Sequence, residues 1–385
     1  MARPVIDLDS MLQLDTVLLK VVSRCNLDCS YCYVYHMGDD AWREQPGRMS
    51  DSVLETVVSR LAEQLARQRT AFSVVLHGGE PLLLGAVRLE RFCARLRRAL
   101  PHPCGIHVQT NGALLSDPVI DVLVRYGVGV SVSLDGPERV HDRFRRDHRG
   151  RGSFARARAG LARLMARDDA RPLLAGVLAV IDPVSDPVAV YAALKKTGAP
   201  SLDVLPRDGN WDRLPFGKNA PNSVEYGAWI VGLLDAYISD PHPPRVRLLD
   251  DMLRLVLGGR AMKEGVGTTD YGILVIEPDG SVNKNDTLKV VRAGADRFER
   301  RWSVLEHGFD EILASDEFVA YYQQQRPTAA VCANCPDLPI CGGGMVAHRW
   351  STMRGYDNPT IFCADQRYVI ARMRTLARAV QSQDA

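Results

Sequence analysis

Residues 25–32 read Cys25-Asn26-Leu27-Asp28-Cys29-Ser30-Tyr31-Cys32, and the spacing C-x3-C-x2-C sets the reading of everything around it. Three thiolates on one short loop can hold three irons of a four-iron cluster and leave the fourth iron without a protein ligand. An open iron is a place where a small molecule coordinates and receives an electron, so the stretch reads as a reaction site. A structural zinc site is the alternative, and zinc asks for a fourth ligand nearby. The run before the loop, Thr16 to Val22 (TVLLKVV), is apolar and β-branched enough for a buried parallel strand. The cysteines then lie at the strand's C-terminal end, which in α/β barrels carries the chemistry.

The chain has 385 residues, 46% of them hydrophobic and 24% charged, enough for one large core and a smaller module. A net charge of +2 implies no polyanion partner, so no nucleic acid is expected. No run is long enough to span a bilayer and no secretory signal is visible, which gives a cytoplasmic expectation with no membrane partner. Of nine cysteines, seven fall in two groups while Cys93 and Cys104 stand apart; that suits metal binding in a reducing compartment better than a disulfide framework.

With the aromatic Tyr31 before its last cysteine, C-x3-C-x2-C resembles the signature of the radical S-adenosylmethionine (SAM) enzymes. One helical pattern further on, introduced by Ser52-Val-Leu-Glu55 as a capping box and running to about Arg67, an apolar strand from Phe72 to Leu76 ends in His77-Gly78-Gly79-Glu80-Pro81. Two glycines and a proline after a strand make a tight turn whose backbone can approach a ligand closely. In the family that Gly-Gly-Glu-Pro turn holds the amino group of SAM's methionine moiety, which the resemblance carries onto Gly78, Gly79, Glu80 and Pro81. The cluster ligands it implies are Cys25, Cys29 and Cys32.

Alternation continues: helix 87–100, strand 106–110, helix 118–126, strand 129–134, helix 153–165, strand 173–181, helix 187–196 and strand 202–205. The alternation gives an α/β fold class, and the resemblance implies a partial (βα)6 TIM-type radical SAM barrel. Strand ends supply Gln109, Ser133 and Asp135, with Ser133 and Tyr31 implied as cofactor contacts and Asp135 either joining them or capping the Asp-Gly-Pro turn. The arginine-rich stretch His141 to Gly152 reads as a solvated loop in which Arg145, by resemblance to SPASM-type enzymes, pairs with the SAM carboxylate. Loop 206–221 offers Trp211 and Phe216 for substrate contact or for packing. Helical patterns over 223–239 and 247–257 follow.

The C-terminal part places Cys332, Cys335, Cys341 and Cys363 at C-x2-C-x5-C-x21-C, a full ligand shell for an auxiliary 4Fe-4S cluster or for zinc. The pattern is similar to a truncated SPASM-like iron-sulfur extension. Ligands that full SPASM domains use for a further cluster are replaced, by Asn285 in Asp279-Gly-Ser-Val-Asn-Lys-Asn285-Asp286 and by Met345 after Cys341. Two clusters in total are therefore expected. In sulfatase-maturing relatives the acidic residue beside the lost ligand is the proposed base, which makes Asp286 the candidate catalytic base; the bland reading is a turn cap.

Together with Trp42 to Met49 and Gly355 to Cys363, these motifs most resemble the Fxs-type maturases. The resemblance implies SAM as cofactor, a ribosomal precursor peptide as substrate and a cyclophane crosslink between an aromatic ring and an unactivated side-chain carbon as product. Thioether formation or formylglycine generation, as in sulfatase maturation, is the alternative, and a metal-stabilised binding module the alternative outside catalysis. A reducing partner such as ferredoxin or flavodoxin is implied, and leader recognition is expected to be internal or to come from a separate leader-binding protein. Expected boundaries are an N-terminal segment 1–15, the barrel 16–222, bridging helices 223–270 and the auxiliary-cluster domain 271–385.

Overall fold

The computed structural model describes residues 12–68 and 70–381, so the expected N-terminal segment lies outside the described residues as far as residue 11. Six parallel strands, β1 (Thr16–Val22), β2 (Ser73–Gly78), β3 (Gly105–Thr110), β4 (Gly129–Ser133), β5 (Leu174–Val180) and β6 (Ser201–Leu205), run side by side in chain order. Helices α1 (Asp51–Gln68), α2 (Gly85–Ala99), α3 (Asp117–Tyr126), α4 (Glu138–Phe144), α5 (Phe154–Met165) and α6 (Pro187–Lys195) return the chain between them. A two-residue strand, β7 (Arg245–Val246), extends the edge beyond β6. Beyond β1 the sheet continues through β8 (Ile273–Ile276), β9 (Ser281–Asn283) and β10 (Trp302–Ser303), giving ten strands in the order β10-β9-β8-β1-β2-β3-β4-β5-β6-β7. This is an α/β fold on an open sheet, parallel from β8 through β7 with an antiparallel edge at β9 and β10, and its parallel part follows the strand and helix alternation read from the sequence.

Burial explains the sequence of the strands. Val17, Leu19, Val74, Leu76, Val108, Val130 and Val132 are fully buried, because parallel strands here are covered by helices on one face and by packed side chains on the other. Each such side chain contributes about 1.5–3 kcal/mol. Helix α1 buries Val53, Leu54, Val57 and Leu61. Its cap is Ser50, whose Oγ accepts from the Val53 amide at 3.2 Å, and Ser52 already lies inside the helix, so the Ser52–Glu55 capping box does not form.

The arginine-rich stretch is more ordered than its composition implies. It begins inside α4 and then folds onto the cysteine loop: Asp28 N donates to Arg146 O at 2.7 Å and Ser30 N to Phe144 O at 3.1 Å. Arg145 and Asp147 are buried, while Arg146 and Arg151 face solvent. After β6, α7 (Glu225–Ile238) and α8 (Arg247–Val256) follow. Helix α9 (Cys363–Gln381) packs against α7, fixed by Asp365, which accepts from Gly227 N at 2.7 Å and pairs with Lys218 at 2.6 Å. No described helix is long and apolar enough to cross a membrane.

Candidate functional site

The C-terminal ends of the strands open into a cavity of about 510 Å³, a volume typical of small-molecule sites. Cys25, Cys29 and Cys32 form part of its wall with Tyr31, Gly78, Gly79, Glu80, Gln109, Ser133 and Arg145. Pro81, Asp135 and Asp286, singled out from the sequence with these, do not line it. Trp211 and Phe216 do not line it either: Trp211 Nε1 donates to Pro359 O at 2.8 Å, and the exposed Phe216 meets Phe144 edge to face. Loop 206–221 reaches the cavity instead through Arg207 and Asp208.

The cysteine loop is held by its own backbone and by neighbours. Cys32 N donates to Cys29 O at 2.9 Å, and His148 Nε2 donates to Cys25 O at 2.9 Å. Without a cation, burial pushes the Cys25 thiol far up and Cys32 up to about 11. Thiolates here would therefore need a neighbouring positive charge, such as a metal cluster supplies. Among the described residues no three His, Cys, Asp or Glu side chains converge closely enough to hold a single metal ion. The three thiols surround open space, which suits a polynuclear cluster with sulfur ligands at its corners.

Gly78 and Gly79 bring β2 against that loop. Gly78 has φ 138°, and a Cβ on either glycine would collide with backbone, that of Val22 or of Arg24. Gly79 N donates to Val22 O at 2.9 Å and Glu80 N to Arg24 O at 3.0 Å. The buried Glu80 carboxylate is largely engaged: Oε1 accepts from Thr110 Oγ1 at 2.7 Å and Leu82 N at 3.1 Å, Oε2 from Asn111 N at 2.8 Å. Burial nevertheless pushes it up to about 7. Oε2 keeps one acceptor position, in keeping with an ammonium ligand. Pro81 only starts the turn below it.

Asp135 serves the site from behind. Its Oδ2 accepts from Tyr31 Oη at 2.6 Å and from Arg145 Nε at 3.0 Å, and Oδ1 from Val180 N at 3.1 Å. It thus fixes a wall aromatic and a wall arginine without touching the cavity. Gln109 donates to Ser133 Oγ at 3.0 Å.

A charged cluster lies behind the wall. Lys20, 3% exposed in the middle of an apolar strand, meets Glu277 Oε1 at 2.9 Å and Asp286 Oδ2 at 3.1 Å. Burial pushes its ammonium down, but Asp286 and Glu277 outweigh this and hold it charged. Burial pushes Asp286 up, and the Lys20 ammonium, with Lys289 contributing, reverses this and keeps the carboxyl below its ordinary value. Asn285, not Asp286, caps the following turn, its Oδ1 accepting from Thr287 N at 3.0 Å. Asp286 reaches the cavity through Tyr33, which lines the wall and donates from Oη to Oδ2 at 3.1 Å. His77 lines the wall beside it, kept neutral by burial. Of Lys20, Tyr33, His77 and Glu277, none is picked out by motif; a lysine inside TVLLKVV is the one signal the sequence offers.

Cys332, Cys335, Cys341 and Cys363 line a second cavity, of about 220 Å³. Burial pushes Cys341 up to about 12 as a free thiol.

A model of the Radical SAM superfamily matches residues 19–168. The chain is 24% identical over 364 residues to a cysteine-type anaerobic sulfatase-maturating enzyme of Clostridium novyi, covering 92% of this chain and 93% of that one. It is 27% identical over 345 residues to a serine-type anaerobic sulfatase-maturating enzyme of Klebsiella aerogenes, covering 86% and 80%. Among solved structures, native anSMEcpe with bound AdoMet superposes with a TM-score of 0.79 at 22% identity over 94% of this chain and 99% of that chain. Streptococcus suis SuiB bound to its precursor peptide SuiA gives 0.58 at 12% identity over 88% and 72%.

Proposed function

We propose that this chain is a radical SAM enzyme and a maturase of the sulfatase-maturating type, oxidising a cysteine or serine side chain in a peptide or protein substrate. Cys25, Cys29 and Cys32 would hold the SAM-binding 4Fe-4S cluster, with Gly78, Gly79, Glu80, Ser133 and Arg145 placed around SAM and Tyr31 completing the wall. Cys332, Cys335, Cys341 and Cys363 would hold one auxiliary 4Fe-4S cluster. When bound, the first cluster and SAM supply a hydrogen-abstracting radical at the substrate carbon. The cavity wall excludes water and holds the reacting carbon in place. After the hydrogen atom leaves, the substrate carbon must still lose a proton and an electron: Tyr33 Oη takes the proton and passes its own to Asp286, which Lys20 keeps ionised for that purpose, and the cluster that Cys332, Cys335, Cys341 and Cys363 would hold would accept the electron.

The observation that carries this reading is the ionised, buried Asp286 joined by Tyr33 to the cavity that contains the three cysteines. The similarity to sulfatase-maturating enzymes over most of the chain supports it. Anaerobic co-expression with short reading frames and sulfatase fragments tests it, read by tandem mass spectrometry against a Cys29→Ala control. An aldehyde at a former cysteine or serine, trapped by a hydrazide, is expected.

Cyclophane formation is the second reading, favoured by Asn285 and Met345 standing where the resemblance puts ligands of a further cluster. It uses the same proton route to restore an aromatic ring. Its product loses two hydrogens, gains no aldehyde and resists fragmentation between the joined residues.

A further inference from the structure

Arg207 stands two residues past the end of β6, in the wall of the reaction cavity, and is 5% exposed. Its Nε donates to Ile181 O at 3.3 Å, while Nη2 is buried with no hydrogen-bond partner. The acidic groups whose charge reaches it, Asp182 and Asp135, are already engaged: Asp182 pairs with Arg143 at 2.9 Å and Asp135 with Arg145 at 3.0 Å. Three guanidiniums thus gather around two carboxylates, and among the described residues none forms an ion pair with Arg207.

Aromatic rings surround it instead of a counter-ion. The guanidinium carbon lies 3.6 Å from the centre of the Phe144 ring, 4.6 Å from that of Phe216 and 5.0 Å from that of Tyr31. Ring faces attract a cation but offer its N–H groups no strong acceptor. Burial accordingly pushes the Arg207 guanidinium below its ordinary value. Burial acts on Arg145 as well, but Asp135 more than reverses it and leaves that guanidinium above its ordinary value. Of the two arginines beside Tyr31, one is matched and one is not.

We propose that Arg207 is an anion anchor of the reaction cavity and binds a carboxylate there, supplied either by the methionine moiety of SAM or by the substrate. The inference rests on the radical SAM and peptide readings above. A planar guanidinium with an unused N–H edge suits a carboxylate, and a bound anion removes the cost of a buried charge that lacks a partner. Arg145 and Arg207 lie over the same wall ring, at 5.4 and 5.0 Å from its centre. Because Asp135 already matches Arg145, an arriving carboxylate gains most from Arg207.

The test reads ligand preferences, which an arginine with a merely structural role would not set. Reconstituted enzyme is dialysed to equilibrium with SAM and with decarboxylated SAM, which keeps the amine and lacks the carboxylate. SAM-loaded enzyme is titrated separately with butyrate and with butyramide, followed by saturation-transfer NMR. Arg207→Met should cut at least one of these two carboxylate preferences tenfold or more. A cut in the preference for SAM assigns the carboxylate to the cofactor, and a cut in the preference for butyrate alone assigns it to the substrate. A smaller change in both overturns the proposal. If Arg207→Met fails to fold, Arg207→Lys decides, since it keeps the charge and loses the fork: a fall of at least threefold in either preference supports the anchor, and a smaller change in both refutes it. Neither arm modifies a peptide, so a failure here is distinct from a failure to find an aldehyde in co-expression.

Discussion

Replacing Lys20 by methionine keeps most of the side chain's volume and deletes its charge. Two buried carboxylates, Glu277 and Asp286, then lose a cation at 2.9 and 3.1 Å. Among the described residues Lys289, 4.0 Å from Glu277, is the one cation left in ion-pair reach of either, and it is already engaged by Asp296 at 2.6 Å. At an effective dielectric constant near 20, each lost attraction is about 5 kcal/mol before the saved desolvation of the lysine is set against it. Removing one partner of such a buried group costs about 3–5 kcal/mol net. Against a total stability of roughly 5–15 kcal/mol, that is a fall in Tm of about 4–6 °C for a chain of this length.

The pH dependence identifies the cause. In the wild type the Asp286 carboxyl lies below its ordinary value, so its contribution is present above about pH 4 and is lost as pH falls through the folded value. In Lys20→Met burial acts unopposed by its nearest cation and the carboxyl rises. The deficit should therefore be largest near about pH 8 and shrink toward about pH 5, as the orphaned carboxyls take up protons. Thermal unfolding of both proteins across that range measures it. Peptide oxidation should also fall and its pH profile move upward. A deficit that does not change with pH, or a Tm within about 2 °C of wild type, would refute the assignment of Lys20 as the group that holds Asp286 ionised.

Tyr33→Phe removes the hydroxyl between Asp286 and the cavity; product formation should drop by about 10²–10⁴-fold, measured as modified peptide per turnover, while SAM cleavage without peptide persists. Gly79→Ala forces a methyl against the Arg24 carbonyl, and SAM binding by equilibrium dialysis should be lost even where the cluster assembles. Cys29→Ala should abolish both the cluster's visible absorbance and SAM cleavage, whereas Cys93→Ala, on a buried helix face and lining neither cysteine cavity, should leave them intact. Apo protein should gain thermal stability as pH falls from about 8 to about 6. The folded Glu80 carboxyl, about 7, lies above its unfolded value, so stability present at low pH is lost as pH rises through about 7; Glu80→Gln should flatten that slope.

The barrel was legible because its signals are periodic. Strands such as β3 and β4 and helices such as α3 lie within a residue or two of where alternation and apolar spacing put them, since each buries one continuous face. The thiols and the Gly-Gly turn were legible as motifs, and the structure gathers them round one cavity. Three things were not. The order of residues 145–152 comes from a few buried partners, Arg145 with Asp135 and Asp147 with its own loop amides, and a count of arginines cannot see them. Asp135 looked like a ligand because it sits at a strand end, but whether a side chain there faces the cavity or the neighbouring strand depends on what that strand offers, here the Val180 amide. Asp286 was found through its neighbour's identity, whereas Lys20 and Tyr33, which give it charge and reach, lie over 250 residues away in sequence.

The pairing of β1 with β8 sets a constraint on rebuilding this enzyme. Lys20 is opposite His77 in the β1–β2 register, and the β1–β8 register runs through Leu19 and Ile276 to leave Lys20 beside Glu277. Strands from both ends of the chain therefore deliver one charge pattern to one spot, with a period of two residues. Slipping β8 by a single residue would turn Glu277 to the other face and strand Lys20. The C-terminal half is then not an interchangeable cartridge. A chimera that imports it from a relative must import the matching residues of the first strand as well, or fold around an unpaired lysine.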